Sequence, residues 1–161
     1  MVEDYKIDEL DMKILTKLQE NGRKSFREIA KEVDSTAVTV INRVDKMEDK
    51  GIINGYTTQI DYRKLGYHVV AAIEMVVKGD RLQDVQEKLE GHKNVTAIYK
   101  ITGDTDILAI AKFKKRDELG NFVVDFLLDS NMVEKTITHV AFDTFSEKYN
   151  IELTEEDVEK K

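Results

Sequence analysis

The apolar positions of this chain change their period near residue 51. Up to that point they lie on helical stripes. Leu10, Ile14, Leu15 and Leu18 mark one face of a first helix, with Asp8 placed to start it and Asn21-Gly22 to end it. Ser25, with Glu28 three residues on, has the spacing of a capping box for a second helix. Phe26, Ile29, Ala30 and Val33 then recur at i, i+3, i+4 and i+7. A tight turn at Asp34-Ser35 leads to Thr36, the expected cap of a third helix that runs to about Lys50 and is ended by Gly51. Its core side is Ala37, Val40, Val44 and Met47.

Beyond Gly51 the pattern becomes extended over 52–60, and Asn54-Gly55 is a hairpin-turn signal behind a very short strand. The rest reads strand, helix, strand, strand, helix, strand. The strands fall at about 67–77, 95–101 (Val95, Ala97, Tyr99 and Ile101 alternating), 107–113 (Ile107, Ala109, Ala111, Phe113) and from Val133 to about Phe145. The helices fall at about 81–90, with Leu82, Val85 and Leu89 on one face, and 116–128, with Leu119, Phe122, Val123, Phe126 and Leu127. This βαββαβ order is the ferredoxin-like split motif, so the fold class is α+β. The expected domains are 1–54 (helical), 55–66 (linker strand), 67–150 (ferredoxin-like) and 151–161 (acidic tail).

The first strand of the second half is apolar on both faces, with Val69, Ala71, Ile73 and Met75 on one and Val70, Ala72 and Val76 on the other. Two small helices cover only one side of a four-stranded sheet. A second copy of the sheet is the simplest cover for the other, so the pattern predicts a homodimer.

Composition narrows the function. The 161 residues contain no cysteine, which excludes disulfides, thiolate nucleophiles and Cys-based zinc sites and is compatible with a cytoplasmic protein. His68, His92 and His139 are scattered, which argues against a histidine metal centre. No apolar run reaches a membrane span, and the acidic N-terminus lacks the pattern of a signal peptide. The net charge of −7 argues against a non-specific nucleic-acid coat. The charge is uneven, however: residues 23–50 carry seven basic and six acidic side chains.

Three short helices with a tight turn between the last two form the helix-turn-helix pattern. A recognition helix needs one face for the core and another, near its N-terminus, that reaches base edges. The outward face here is Ser35, Val38, Thr39, Asn42, Asp45 and Lys46, with Arg43 and Ile41 on its flanks; Val38, Thr39, Asn42, Arg43 and Lys46, with the cap Thr36, are the DNA-contact candidates. Asn pairs with adenine, Thr and Val touch a thymine methyl, and Arg or Lys takes guanine or phosphate. Arg23, Lys24, Arg27, Lys31 and Lys50 are candidates for phosphate contact. The same pattern also fits a plain three-helix bundle with a solvated third face.

Spaced motifs over about 150 residues carry a resemblance. They are Leu10-Asp11, Ile14-Leu15, Leu18, Asn21, Arg23, Ile29-Ala30, Arg43-Val44, Gly51-Ile52-Ile53-Asn54-Gly55-Tyr56, Lys64-Leu65-Gly66-Tyr67, Gly103-Asp104-Thr105-Asp106, and Val133 with Thr136 and Thr138. In these the chain resembles the Lrp/AsnC, or feast/famine, transcription regulators. The resemblance implies a winged helix-turn-helix on operator DNA and a C-terminal RAM domain that dimerises through its sheets, often into tetramers or octamers. It also implies an amino-acid effector near the Gly-Asp-Thr-Asp turn. The turn before the recognition helix departs from the family's Gly-Leu-Ser: Asp34-Ser35-Thr36 keeps the cap but places Asp where φ is often positive.

On residues alone, Thr102 to Asp106 is a hairpin turn, which Gly and Asp make readily. With the resemblance it becomes an effector candidate. Gly103 exposes backbone amides to a carboxylate, Asp104 or Asp106 accepts an ammonium, and Thr136 and Thr138 add hydroxyls. No cofactor and no catalytic residues are expected. Two alternatives stay open: an architectural DNA binder without an effector, and an enzyme like the siroheme decarboxylases, which share this layout. The chain lacks the latter's basic pairs and histidine near Asn54-Gly55-Tyr56 and Asp61-Tyr62-Arg63, and His68 at a strand start reads as structural.

Overall fold

The computed structural model describes residues 5–128, 131–148, 150, 151 and 153, apart from the side chains of Phe126 and Leu128. Most of the expected acidic tail, and Phe126 of the second helical stripe, therefore lie outside the described residues. The chain divides into two compact units, one ending at Gln59 and one spanning Ile60–Glu147.

The first unit holds α1 (Glu9–Glu20), α2 (Phe26–Glu32) and α3 (Ala37–Asp49). Each begins on a side chain that satisfies an orphan backbone amide. Asp8 accepts from the Asp11 amide at 2.9 Å and Asp11 accepts in return from the Asp8 amide at 3.1 Å, a capping box with Asp in the reciprocal position. Ser25 and Glu28 form the expected box on α2, and Thr36 Oγ1 accepts from the Thr39 amide at 3.1 Å on α3. Asp34 has φ of 50°, the left-handed conformation that its family position implied, and the Ser35 amide closes the turn on the Ala30 carbonyl at 2.8 Å. Gly51, at φ 68°, ends α3 while the Ile52 amide returns to the Met47 carbonyl. The core is Ile14, Ile29, Ala30, Val33, Val40, Val44 and Met47, with Leu10, Leu15, Leu18, Phe26 and Ala37 at its edge.

Two expectations for the following segment change. The Asn54-Gly55 hairpin does not form, and residues 54–60 carry no regular structure. The helical unit therefore has no strand among the described residues, and the expected linker strand and wing are not made by this chain's own backbone. A strand needs a partner for its amides and carbonyls, and residues 54–60 pair with no described strand of their own chain. A single turn of 3₁₀ helix at Tyr62–Leu65, capped by Asp61, opens the second unit.

That unit contains β1 (Val69–Val77), α4 (Leu82–Glu90), β2 (Val95–Lys100), β3 (Ile107–Phe113), α5 (Arg116–Asn121) and β4 (Val133–Val140). The sheet order is β2-β3-β1-β4, with every neighbouring pair antiparallel, as the split motif requires. One face is sealed. Val69, Ala71, Ile73 and Met75 of β1 pair with Phe113, Ala111, Ala109 and Ile107 of β3, and all eight are buried against Val85, Leu89, Leu119, Phe122 and Leu127. The other face is open. It carries Val70, Ala72, Val76, Leu108, Ile110, Ala97 and Ile137, all partly exposed, with Tyr99 more exposed at its edge.

Three local expectations need correction. A register shift between Val95 and Ala97 resets the alternation of β2, so Val95 and Ile98 pack on the sealed side while Ala97 and Tyr99 face away. The last helix is α-helical only to Asn121 and continues through Phe122–Leu128 with wider π turns. That spacing lets Phe122 and Leu127, five residues apart, share the core side. Finally, β4 stops at Val140 rather than near Phe145, and residues 141–148 run on without regular structure.

Candidate nucleic-acid interface and effector turn

The exposed side of α3 is built from its cap. Thr36 Oγ1 lies 2.9 Å from Thr39 Oγ1, so the two hydroxyls are linked at the helix start. Val38 next to them is 67% exposed, a β-branched apolar side chain held in water. Asn42 and Lys46 follow one and two turns on, both exposed. Among the described residues Arg23, Arg27, Lys31 and Lys46 make no ion pair. Lys24 does, bridging Glu32 at 2.7 Å and Glu20 at 3.4 Å. Further along α3, Glu48 accepts from the Tyr56 hydroxyl at 2.8 Å, and burial together with that carboxylate pushes the phenol up to about 12.

Arg43 does not join this array. Its Nη1 lies 2.6 Å from Asp8 Oδ2 and 3.2 Å from both oxygens of Asp11, which is fully buried. Tyr5 donates its hydroxyl to the same Asp11 carboxylate at 2.9 Å. Hydrogen bonds to Tyr5 and Asp8 hold the guanidinium firmly protonated, above the usual range for arginine. The residue that sequence placed at the edge of the reading face thus fastens α3 to the start of α1. The signal for this was in the chain: Asp8 and Asp11 at the cap of α1 supply more carboxylate than the cap needs. Pairing across 32 residues is not visible in a linear pattern.

In the sheet unit the Gly-Asp-Thr-Asp turn divides into two parts. Gly103, at φ 123°, and Asp104 are exposed. Thr105 and Asp106 turn inward. Thr105 is buried and donates to Glu74 Oε2 at 3.0 Å. Asp106 Oδ2 accepts from the Val77 amide at 2.8 Å, and the Asp106 amide donates to the Met75 carbonyl at 2.8 Å. Asp106 therefore splints the end of β1. Thr136 pairs with Met75 on the opposite side of β1, so it flanks the same strand end as Asp106. Thr138 pairs with Ile73 one step further in, on the same face as Thr136, and is exposed. Sequence reasoning missed Thr105 and Glu74. Glu74 lies in the middle of the open face, bracketed by Thr105 and by His139 Nε2 at 3.2 Å from its other oxygen.

A capped helix-turn-helix joined to an α+β sheet domain with one open face is the layout of a DNA-binding regulator with a sensing or assembly module. Family comparison agrees for both units. The AsnC-type helix-turn-helix domain matches residues 7–48 and the Lrp/AsnC ligand binding domain matches residues 69–151. The chain belongs to the Lrp/AsnC family of transcription regulators. It is 41% identical over 91% of its length to an HTH-type transcriptional regulator of Pyrococcus furiosus, covering 98% of that protein. It is 37% identical over 74% of its length to the HTH-type transcriptional regulator Ptr1 of Methanocaldococcus jannaschii, covering 80% of it. Among solved structures it is similar to Escherichia coli AsnC (TM-score 0.83, 28% identity, 91% of this chain and 99% of that one). It is equally similar to a Neisseria meningitidis transcriptional regulator in complex with L-Met (TM-score 0.83, 25% identity, 91% and 96%). The relatives carry the names of transcriptional regulators, not of enzymes.

Proposed function

We propose that this regulator reads a specific operator through the N-terminal half of α3 and that a small amino acid modulates it from the exposed part of the Gly103-Asp104 turn. The reading residues are Thr36, Val38, Thr39 and Asn42, with Lys46, Arg23 and Arg27 on phosphates. Arg43 acts on DNA indirectly, by fixing the pitch of α3 against Asp8 and Asp11. The observation that carries this reading is the exposure of Val38 between paired threonine hydroxyls. An apolar side chain at the start of a recognition helix has a use against a thymine methyl and none in water. The acidic C-terminal half, with Asp45, Glu48 and Asp49, would point away from the phosphates.

For the effector, Asp104 is the free carboxylate and Gly103 the exposed backbone, whereas Asp106 positions the turn. Thr136 and Thr138 line the neighbouring strand. The L-Met complex of the Neisseria relative supports an amino-acid ligand class. The protein works as at least a homodimer through the open face of the sheet, in the cytoplasm. Enrichment of random duplex DNA on the purified protein, with and without each amino acid, tests both halves. A recovered consensus that shifts with one amino acid is expected, and Asp104→Ala should abolish the shift while leaving the consensus. Equal recovery of all sequences would favour an architectural DNA binder; a consensus that no amino acid alters would remove the effector half.

A further inference from the structure

Residues 141–147 leave β4 as an arm that is pinned at two places. Arg63 Nη2 holds Asp143 at 3.3 Å, and Glu147 pairs with Lys112 Nζ. Lys112 lies on the open side of β3, opposite Val70, and its ammonium also sits 5.0 Å from the centre of the Tyr62 ring. Between and beside these anchors stand two phenylalanines that touch almost nothing. Phe145 is 97% exposed and Phe142 is fully exposed.

A loose tail can carry a solvated aromatic at little consequence, but this arm is held by ion pairs on its own domain. Holding two phenylalanines outward at fixed positions costs hydration free energy and side-chain freedom with no intramolecular return. The open face a few residues away has the opposite composition. Ala72, Val70, Ile110 and Leu108 give its middle a shallow aliphatic surface, and the large aromatic Tyr99 stands at its edge. Each chain therefore carries both halves of a complementary pair.

We propose that Phe142 and Phe145 are the aromatic anchors of self-association, each arm packing onto a second copy of this chain at the rim of its open sheet face. This rests on the dimer reading above and names residues that neither the sequence pattern nor the family comparison assigns to it. A two-fold arrangement satisfies both arms at once and leaves no unpaired anchor, so the assembly closes. An aromatic side chain buries about 150–250 Å², so four phenylalanines add about 600–1,000 Å² to an interface class that needs about 1,200–2,000 Å² in total. Central aromatic anchors are also the residues that dominate association energies.

The test is sedimentation equilibrium on the full chain, comparing wild type, Phe142→Ser/Phe145→Ser and Ile110→Asp, with circular dichroism melts on each. Because both phenylalanines are exposed in the single chain, the double variant should keep its spectrum while its dimer dissociation constant rises about a hundredfold. Ile110→Asp should be monomeric. A double variant that dimerises as tightly as wild type, beside a monomeric Ile110→Asp, would overturn the role of the arm and leave the sheet interface standing. Loss of larger assemblies with the dimer constant intact would also overturn it. Wild type that stays monomeric at about 100 µM would overturn both the arm and the sheet reading.

Discussion

The exposed side of α3 and the open face of the sheet are both surfaces that the single chain leaves uncovered, yet they are written in different chemistry. The first presents hydroxyls, an amide, the Lys46 ammonium and the apolar Val38 and Ile41 on a rigid helix. The second presents rows of valine, alanine, isoleucine and leucine around the Glu74–His139 contact. A hydrated, charged duplex suits the former and a second apolar sheet the latter. The difference also shows in how each unit uses its own polar network. Asp8, Asp11, Tyr5 and Arg43 are spent inside the helical unit to hold the reading helix. In the sheet unit Glu74 and His139 lie on the open face, with the buried Thr105 hydroxyl donating to Glu74 from beneath.

Substitutions should separate the two surfaces, and the largest effect belongs to the sheet. Ile110→Asp puts a carboxylate in the middle of the apolar face, and an unpaired charge buried there costs several kcal/mol. The dimer dissociation constant should rise by about 1,000-fold or more, read by sedimentation, with the single chain still folded. A dimer unaffected by this change would place the interface elsewhere.

Next in size is Asp11→Ala, which acts on the other unit. It strips the fully buried acceptor from Arg43 and Tyr5. The 3–5 kcal/mol typical of breaking a buried pair is reduced here to about 2 kcal/mol, because Arg43 is 31% exposed and keeps Asp8. Denaturant unfolding should show the loss in the helical unit, accompanied by weaker DNA binding. By the same logic Arg43→Ala should lower stability and DNA affinity together. A stability unchanged by Arg43→Ala, with DNA affinity lost, would return Arg43 to the reading face. Val38→Ala is smaller and opposite in kind: about 1 kcal/mol of operator affinity and no change in melting.

The smallest effects come from pH, and they divide the units again. Burial, aided by Lys93, pushes the His92 imidazole below its ordinary 6.5. The fold therefore disfavours protonation there, and that contribution is complete above pH 6.5 and declines as pH falls below it. Asp8 is also lowered. Burial alone would raise it, but the Asp11 amide and the Arg43 guanidinium together outweigh that and bring it below 3.8. Its contribution is present above pH 3.8 and lost on further acidification. Amide exchange followed against pH should show the sheet unit loosening first and the helical unit only in stronger acid. His92→Gln should remove the first phase alone; a single joint transition would contradict the division.

What could be read from the chain was local or periodic. The caps at Asp8, Ser25 and Thr36 need only three following residues, so they were legible. The βαββαβ order follows from changes of period, and it carried the sheet topology with it. What escaped reading depends on partners distant in sequence. The Val95–Ala97 register shift is defined by β3, not by β2 itself, and it parts Ala97 and Tyr99 from Val95, with which they alternate in sequence. The π turns of Phe122–Leu128 answer to the core they fill. Arg43 sits on the flank of α3, and only the folded unit brings Asp8 and Asp11 against it. The linker strand expected over 55–66 does not form within the chain for a related reason, since a pattern suited to extension does not supply a neighbour. At the Gly103–Asp106 turn the split between exposed Asp104 and inward Asp106 is set by β1, whose Val77 amide claims one carboxylate and not the other.

The claim on which the regulator reading rests is that α3 reads bases through its N-terminal exposed side. Its most direct measurement is the affinity of wild type and Asn42→Ala for the selected duplex and for each single base-pair substitution of it. The account predicts that Asn42→Ala costs about 1–3 kcal/mol on the selected site, removes the preference at one adenine position, and leaves binding to unrelated DNA unchanged. An equal loss on every sequence, or none on any, would contradict it.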